Sequence, residues 1–314
     1  MDLISLTLGR VMPRHRTLRE WVEIYLPLLE ARQITPKTLG NRHAHVRRIL
    51  AALGDRRIGT IRPHEINALI VQVGKAHPVA AKRTLIEIRA MLDEAVSNGW
   101  IQTNAAKAVR LPRVPVQRRR LSLQEWKAIY EHAKAHRPPW VHRLFALALV
   151  TGQRRSDLVK MRFEDVWAHG DGRDYLHIIQ AKTGARLAIP MDLRMESVGL
   201  SVQEVVEACR GYAKLGDGYL LRKTTGKPPC PESMSWRFEQ SREEALGVET
   251  GEHRPPSLHE CRSLAAREYR KQGINTQDLL GHSKQAMTEL YHDDRGLDAR
   301  EGKWRVVALP SLPL

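Results

Sequence analysis

The segment KAVRLPRVPVQRRR, residues 107–120, divides this chain into two parts. It contains six Lys or Arg residues, two prolines and no acidic residue. Pro112 and Pro115 prevent a regular helix, because proline lacks a backbone N–H and its ring clashes with the preceding turn. The segment therefore predicts an extended basic linker that could follow a phosphate backbone. The predicted organisation is an N-terminal tail (1–15), a helical domain (16–110), a linker (111–120), a second domain (121–300) and a C-terminal tail (301–314).

The basic residues are concentrated in the part of the chain that ends with this linker. Residues 1–120 contain 22 Lys and Arg against 9 Asp and Glu, whereas the remaining residues contain 29 against 26. The whole 314-residue chain carries a formal charge of +16. This asymmetry predicts a module that binds a polyanion, joined to a module with a different task. A general bias toward solubility is the alternative explanation of the charge.

The composition argues against several classes of protein. Hydrophobic residues make up 42% of the chain, which is enough for packed cores. The longest apolar run, 144–150, is far shorter than the roughly 18–20 residues of a membrane span, and no basic amphipathic helix with aromatic residues suggests a membrane surface. The first residues lack the cleavage site of a secretory signal. Three widely spaced cysteines form neither a disulfide framework nor a zinc pair, which favours a reducing, cytoplasmic setting.

Residues 16–110 are predicted to form four helices. Thr17 and Glu20 make a capping box before the first helix, and Thr35 with Pro36 begins the second. The fourth helix ends at Gly99. Basic residues on these helices and in the linker predict contacts to DNA, with an ordinary solvated surface as the alternative. They are Arg42, Arg47, Arg48, Arg56, Arg57, Arg62, Lys82, Arg83, Arg113, Arg118, Arg119 and Arg120.

The second domain is predicted to combine helices with a small antiparallel sheet. A helix begins after Ser122, and an apolar helix ends at Gly152. Strands are predicted in FEDVW (163–167), DYLHIIQ (174–180) and ARLAIP (185–190), since these segments are rich in β-branched, aromatic and aliphatic residues. The turn AKTG then places Lys182 on a hairpin. Helices return from Ser201 onward.

An arginine and a lysine of this domain are candidate contacts to phosphate. In TGQRRSD (151–157), Gly152 ends a buried helix, so that Arg154 can point inward and Asp157 can orient it. Lys182 is a mobile cation on the predicted hairpin. Taken alone, each of these residues is more typical of a surface ion pair.

A histidine and a second arginine follow in SLHECRS (257–263). Ser257 and Glu260 predict a capping box at the start of a helix. His259 and Arg262 would then lie on one face of its first turns. On its own, such a pair is more often part of a solvated helix face.

The segment LLGHSKQAMTELYHDD (279–294) supplies another histidine and a tyrosine. His282 lies just past a predicted helix end at Gly281, and Tyr291 comes about two helical turns later. A Gly-His pair is usually a helix cap, and a tyrosine at a helix end is usually half-buried packing. Only the combination with the other segments gives these residues a function.

Together these residue types suit the attack of a phenol oxygen on a DNA phosphodiester. Two arginines can bind the phosphoryl oxygens as negative charge develops on them. A histidine can move the phenol proton, and a lysine can protonate the departing deoxyribose oxygen. This reaction requires no metal or other cofactor, and the sequence offers no carboxylate cluster that would hold a metal.

The order and spacing of TGQRRSDL, KTG, LHECRS, LLGH and LYHDDRG resemble those of the tyrosine recombinases, and among them the integrases of lambda-like phages. The resemblance covers residues 17–300. It implies two phosphate-binding arginines (Arg154 and Arg262), a general acid (Lys182), an acid–base histidine (His259), a second histidine that hydrogen-bonds the scissile phosphate (His282), a nucleophile (Tyr291) and an accessory carboxylate (Asp157).

The resemblance also implies a fold, an activity and partners. The implied fold is mainly α with a small antiparallel β-sheet, in which an α-helical, SAM-like core-binding domain precedes a mixed α/β catalytic domain. The implied enzyme is a site-specific recombinase that integrates or excises a phage or other mobile element through a 3′-phosphotyrosyl intermediate. Its implied partners are double-stranded DNA attachment sites and three further copies of itself in a tetramer on two duplexes. A host DNA-bending protein and an excision factor are further partners that it allows, and no membrane is involved.

Two features and two rival functions qualify this interpretation. Only about sixteen residues precede the first helix, which leaves no room for the arm-binding domain of lambda-like integrases, so the chain is either a simpler integrase or a fragment. In the C-terminal tail, Val306, Val307 and Leu309 could form a strand that packs on its own domain or on a neighbouring protomer.

The rival functions are a type IB topoisomerase-like enzyme that relaxes DNA, and a non-catalytic DNA-binding regulator of the same fold. The spacing of the motifs argues against the first, and the complete residue set against the second.

Overall fold

The computed structural model describes residues 16–168, 170–212, 218–248, 254–293, 295 and 297. The chain forms two compact units that are divided between Val116 and Gln117. This division lies inside the predicted linker. The predicted tails 1–15 and 301–314, including the expected strand around Val306, lie outside the described residues.

The first unit is a helical module with its own hydrophobic core. Its helices are α1 (Leu18–Glu30), α2 (Pro36–Leu53), α3 (Pro63–Ala76) and α4 (Pro78–Ser97), and it has short 3-10 turns at Ile58–Thr60 and Ala105–Ala108. The predicted capping box is confirmed, because the Thr17 hydroxyl accepts the Glu20 N–H while the Glu20 carboxylate accepts the Thr17 N–H. The Thr35 hydroxyl caps α2 as expected. Pro27 lies inside α1 without ending it.

The core of this unit lies where the apolar faces of its helices meet. Trp21, Ile49, Ile66 and Leu85 are fully buried there. The indole N–H of Trp21 donates to the Met91 carbonyl at 3.1 Å, so its polar atom is satisfied inside the core. The first unit therefore has a packed interior of its own.

The second unit combines helices with two small antiparallel sheets. Its helices are α5 (Leu123–His136), α6 (Pro139–Thr151), α7 (Arg155–Leu158), α8 (Val202–Tyr212), α9 (Pro231–Leu246), α10 (Glu260–Lys271), α11 (Thr276–Leu280) and α12 (Gln285–Glu289), with a 3-10 turn at Phe163–Asp165. Its strands are β1 (Val166–Ala168), β2 (Asp174–Ile179), β3 (Arg186–Pro190), β4 (Arg194–Met195) and β5 (Leu200–Ser201). The fold class expected from the sequence is confirmed.

The larger sheet has the strand order β1-β2-β3, with antiparallel neighbours, as the sequence predicts. Ile179 pairs with Arg186, and the turn that joins them carries Lys182. Leu176, Ile178 and Ile189 are buried on the core side of the sheet. The sheet therefore fixes the base of a hairpin while its tip stays exposed.

Helix α6 is the centre of this unit, and the functional segments begin where it ends. It contacts α5, α8 and α10, and its residues from Val141 through Val150 are mostly buried. The buried Tyr269 hydroxyl donates to the Val150 carbonyl at 2.8 Å, which fixes α10 against the end of α6. Gly152 then reverses the chain with φ +64°, and Gly281 does the same after α11 with φ +61°.

No helix in the described part of the chain combines the length and the apolar character that crossing a membrane would need.

Candidate active site

Arg154 and Arg262 lie at a common site in the second unit. Arg262, on α10, is only 1% exposed. Its Nη1 donates to the Gly152 carbonyl at 2.7 Å, and its Nη2 donates to the Leu280 carbonyl. Both acceptors are carbonyls at helix ends, which lack partners within their own helices. Burial and the charge of Arg154 lower the pKa of Arg262 to about 10, so Arg262 carries a charge near pH 7.

Two buried glutamines connect the arginines. Arg154 donates from Nη1 to Oε1 of Gln180 at 2.8 Å. Gln180 donates in turn to Oε1 of Gln153 at 2.8 Å, and the same Gln153 oxygen lies 3.5 Å from Nη1 of Arg262. Neither glutamine belongs to the residues predicted from the sequence. The only signal was position, since one lies inside TGQRRSD and the other directly precedes the hairpin turn.

His282 is buried against Arg262. Its Nε2 lies 3.2 Å from Nη2 of Arg262, and its Nδ1 lies 3.0 Å from the Thr288 hydroxyl. An arginine can only donate, so Nε2 is the acceptor and Nδ1 carries the ring proton. Burial and the charges of Arg262 and Arg154 lower the pKa of His282 to about 4. The ring is therefore neutral near pH 7 and orients Arg262.

Tyr291 lies between the two histidines and over Arg262. The centroid of its ring is 5.2 Å from that of His282 and 6.0 Å from that of His259. The guanidinium carbon of Arg262 is 5.6 Å from the same centroid. The Ser263 hydroxyl donates to the Tyr291 carbonyl at 2.8 Å, which ties the half-buried tyrosine to α10.

His259 stands at the first residue before α10 and keeps an exposed edge. Partial burial and the positive charges of Arg262 and Arg154 hold the pKa of His259 below its usual range. This histidine is therefore also neutral near pH 7, and it can accept a proton.

The site has the electrostatic character of an anion receptor. Among the described residues, Nε of Arg262 is buried without a hydrogen-bond partner. A buried guanidinium N–H of this kind carries an energetic cost until an acceptor reaches it. In the same ranges, no three His, Cys, Asp or Glu side chains are grouped as ligands of a metal ion. The groups that converge on Tyr291 suit a phosphate.

Asp157 was expected to orient Arg154, and that role stays a prediction. Asp157 is 2% exposed, and its Oδ1 accepts the backbone N–H of Ala181 at 2.9 Å. Arg154 itself donates to Gln180. Asp157 therefore anchors the hairpin that carries the exposed Lys182, because a carboxylate is a strong acceptor for a backbone N–H.

The predicted capping box at the start of α10 was wrong. The helix begins at Glu260, with His259 as its N-cap, and the Ser257 hydroxyl accepts from Nη1 of Arg118 at 3.0 Å. The Glu260 carboxylate pairs with Nη1 of Arg120 at 2.8 Å. A charged guanidinium is a stronger partner for a buried carboxylate than a backbone N–H, and it lies too far along the chain for a local pattern to reveal.

Three of the predicted DNA contacts are half-buried or buried and pair with carboxylates, so their guanidinium groups are less available to DNA than those of the exposed candidates. Arg42 donates from Nε to Glu87 at 2.8 Å. Arg119 makes two hydrogen bonds to the Glu125 carboxylate. Arg120 is 4% exposed. Of the other candidates, Lys82 is half-buried, and these are exposed: Arg47, Arg48, Arg56, Arg57, Arg62, Arg83, Arg113 and Arg118.

Known proteins resemble this chain over most of its length. The sequence profile of the phage integrase family matches residues 119–296. The prophage integrase IntE of Escherichia coli strain K12 is 42% identical over 214 residues, which are 66% of this chain and 53% of that protein, or about half of its length. The integrase of Escherichia phage lambda is 35% identical over 285 residues, which are 89% of this chain and 77% of that protein.

Solved structures with more than one DNA substrate have the same fold. A lambda integrase(75–356) dimer bound to a COC′ core site superposes with a TM-score of 0.82 at 33% identity, over 93% of this chain and 99% of that one. A lambda integrase tetramer bound to a Holliday junction gives a TM-score of 0.82 at 33% identity, over 94% and 81%. The resemblance that the sequence motifs suggested is thereby confirmed. The chain belongs to the phage integrase family, and it is a site-specific DNA recombinase of the tyrosine type.

Proposed function

We propose that Tyr291 is the nucleophile of this recombinase and that it forms a covalent bond with a 3′ phosphate at a DNA attachment site. The observation that carries the proposal is the convergence of separate segments on one phenol. The Tyr291 ring lies 5.6 Å from the guanidinium carbon of Arg262 and beside the rings of His259 and His282. A tyrosine that served only packing would have no need of this cationic surrounding.

In the cleavage step, the Tyr291 oxygen attacks the phosphorus atom. The Oη–P bond forms as the bond between phosphorus and the 5′ oxygen breaks. Arg154 and Arg262 bind the non-bridging oxygens, where charge develops. His259 accepts the phenol proton, and its pKa rises when the bound phosphate offsets the neighbouring arginines. Lys182 gives a proton to the departing 5′ oxygen.

The rejoining step reverses these transfers on a different strand. The 5′ hydroxyl of the partner strand attacks the phosphotyrosine, Lys182 receives its proton, and His259 returns a proton to the leaving Tyr291 oxygen. The energy of the broken bond is held in the covalent intermediate, so strand exchange proceeds without a nucleotide cofactor. His282 orients Arg262 before DNA binds. When the bound phosphate offsets the charges of Arg262 and Arg154, the pKa of His282 rises, so that the ring takes a proton from solvent and donates from Nε2 to the phosphate.

The proposed assembly is a homotetramer on two DNA duplexes, which integrates or excises a phage or other mobile element. The lambda integrase structures support this, since they include a dimer on a core site and a tetramer on a Holliday junction. We further propose that residues 16–110 form a core-binding domain that contacts DNA through its exposed basic residues. The proposed location is the nucleoid DNA of a bacterial host cell, with a host DNA-bending protein and an excision factor as accessory partners.

Substitution of Tyr291 tests the nucleophile directly. Tyr291→Phe should bind DNA with unchanged affinity but form no covalent adduct on a nicked suicide substrate, because only the attacking oxygen is lost. The control is Tyr175→Phe. It removes a hydroxyl on β2 that donates to Asp171. An adduct that persists with Tyr291→Phe would reject the assignment.

The products of the wild-type reaction distinguish a recombinase from a type IB topoisomerase-like enzyme. A recombinase should join strands from two oligonucleotide duplexes, whereas a type IB topoisomerase-like enzyme would relax supercoils without such products. Binding without any adduct would indicate a regulator.

A further inference from the structure

One buried arginine ties the segment that carries Tyr291 to the start of α10. Arg120 donates from Nη1 to the Glu260 carboxylate at 2.8 Å and from Nε to the Asp293 carboxylate at 2.8 Å. Its Nη2 donates to the Leu290 carbonyl. Leu290 and Asp293 flank Tyr291 on both sides, so this single guanidinium group contacts the chain before and after the nucleophile.

The backbone of Arg120 adds a further contact to the Tyr291 segment. Its N–H donates to the Arg295 carbonyl at 2.8 Å. The side chains of Arg120 and Glu260 are only 5% and 6% exposed, whereas that of Asp293 is 42% exposed. The buried pair with Glu260 therefore fixes Arg120 to α10. Through its contacts to Leu290 and Asp293, Arg120 then fixes the Tyr291 segment to the same helix.

A second connection reaches the tyrosine from the next turn of α10. Arg267 donates from Nη1 to the Ser263 hydroxyl at 2.8 Å, and that hydroxyl donates to the Tyr291 carbonyl at 2.8 Å. Arg267 also donates to the carbonyl of Leu121, the residue after Arg120. Residues 120–121, α10 and the tyrosine segment thus form one hydrogen-bonded unit.

We propose that Arg120 is a positioning residue that holds the Tyr291 segment against α10, in register with the phosphate-binding Arg262. This inference rests on the proposed role of Tyr291 as nucleophile. Arg120 does not touch the reacting atoms. It contacts Leu290 and Asp293, which lie before and after Tyr291 in the chain. It also contacts Glu260, which lies two residues before Arg262 on the same helix.

A positioning role has a kinetic signature that a merely structural role lacks. Before cleavage, the phenol oxygen must be located by the protein, so a loosened segment lowers the cleavage rate. After cleavage, the covalent bond itself holds the tyrosine on the phosphorus atom. Ligation from the adduct should then depend little on Arg120, although both steps pass through the same transition state.

Asp293→Asn is the variant that separates these two roles. It weakens the tie to the tyrosine segment and leaves the buried pair of Arg120 with Glu260 intact, so the fold should be preserved, as the melting temperature would show. The control is Asp192→Asn, which removes one negative charge from an exposed carboxylate whose pair with Arg173 is 3.8 Å long. Cleavage is measured as adduct formation on a suicide substrate, and ligation as adduct loss after a 5′-hydroxyl oligonucleotide is added.

We expect Asp293→Asn to slow adduct formation by about fivefold or more, since small misplacements of a reacting group cost up to about a hundredfold. Ligation and DNA affinity should stay within about twofold of wild type. A smaller decrease in cleavage, or an equal decrease in ligation, would overturn the proposal. If Tyr291→Phe still formed an adduct, the proposed function would fail instead.

Arg120→Lys gives an independent check. A lysine keeps the positive charge beside Glu260 but cannot reproduce the fork that reaches three acceptors. Arg120→Lys should slow cleavage in the same manner as Asp293→Asn. The double variant should be no slower than the slower single variant, because both substitutions break the same connection between Arg120 and the Tyr291 segment. Effects that multiply would show that the two residues act separately.

Discussion

At the scale of single residues, the stability of the second unit depends on histidines that burial keeps neutral, one in the site and one on α6 outside it. The pKa of His282 is lowered to about 4 by burial and the charges of Arg262 and Arg154, and that of His142 is lowered to about 4 by burial and Arg143. An unfolded histidine has a pKa of about 6.5. Between these values the unfolded chain binds more protons than the folded one.

The stability of the protein should therefore decrease as the pH falls. The contribution of the neutral histidines is fully present above about pH 6.5 and is lost as the pH falls toward about 4. We expect a lower melting temperature at about pH 5 than at about pH 7.5, by several degrees, since about 1 kcal/mol corresponds to roughly 2–4 °C in a domain of this size. His282→Gln should flatten this dependence, whereas His64→Gln, at an exposed position, should leave it unchanged. Identical pH profiles for wild type and His282→Gln would contradict the explanation.

The sequence predicted residues that the structure brings to one site, but not the residues that support them. Arg262, His282 and Tyr291 belong to short motifs whose chemistry can be recognised from residue type and spacing. Gln153 and Gln180 matter only because folding brings them to the arginines, and glutamine on its own predicts no particular partner. Support of this kind depends on tertiary contacts, so no local pattern reports it.

At the scale of secondary-structure elements, the hairpin after β2 sets the position of Lys182, the proposed general acid. Asp157, on α7, accepts the N–H of Ala181, next to Lys182. Thr183 donates its hydroxyl proton to Oε1 of Gln180 at 2.8 Å, which fixes the other side of the turn. The hairpin is thus attached to the arginine site, while the lysine at its tip stays exposed.

Loosening this hairpin should produce the same defect as removing the lysine. Lys182→Ala and, more mildly, Asp157→Asn should slow cleavage of an ordinary phosphodiester. A 5′-bridging phosphorothiolate should restore both rates, because a thiolate leaves without a proton. The control is Asp165→Asn, which replaces a carboxylate that accepts the N–H of Arg162 elsewhere in this unit. If the phosphorothiolate rescues neither variant, the hairpin does not deliver the proton.

Elements with strong local signals were predicted well, and those set by distant partners were not. The caps of α1 and α2, the glycine ends of α6 and α11 and the strands β2 and β3 all follow from neighbouring residues. The first strand of the sheet begins three residues later than predicted, because Phe163–Asp165 form a 3-10 turn. The start of α10 does not follow from neighbouring residues, because Glu260 pairs with Arg120, which is 140 residues away. The Glu260 carboxylate could serve either a capping box or a buried ion pair. Which of the two forms depends on whether folding brings Arg120 to it.

At the scale of the whole molecule, the excess of basic residues is concentrated before residue 121. The structure gives Arg42, Arg119 and Arg120 internal partners, so the number of charges available to DNA is smaller than the sequence count. Exposed arginines remain on the first unit, among them Arg47 and Arg83.

DNA affinity should therefore fall steeply with salt concentration. Each phosphate contact releases condensed counterions, and it contributes about 0.9 to the slope of log K against log salt. Arg47→Gln with Arg83→Gln should reduce that slope by about 2 in a binding titration. The matched control is Arg173→Gln with Arg210→Gln, two exposed arginines of the second unit. An unchanged slope for the first pair would remove these arginines from the DNA contacts.

The glutamines behind the arginines have a final consequence for the protein without its substrate. Amide and carbonyl oxygens fix Arg154 and Arg262 in place, but being uncharged they cancel none of the positive charge. A carboxylate at either glutamine would offset part of the positive charge and would compete with the backbone of a nucleic acid. With glutamines there, a DNA phosphate supplies the offsetting charge, so occupancy and local stability rise together.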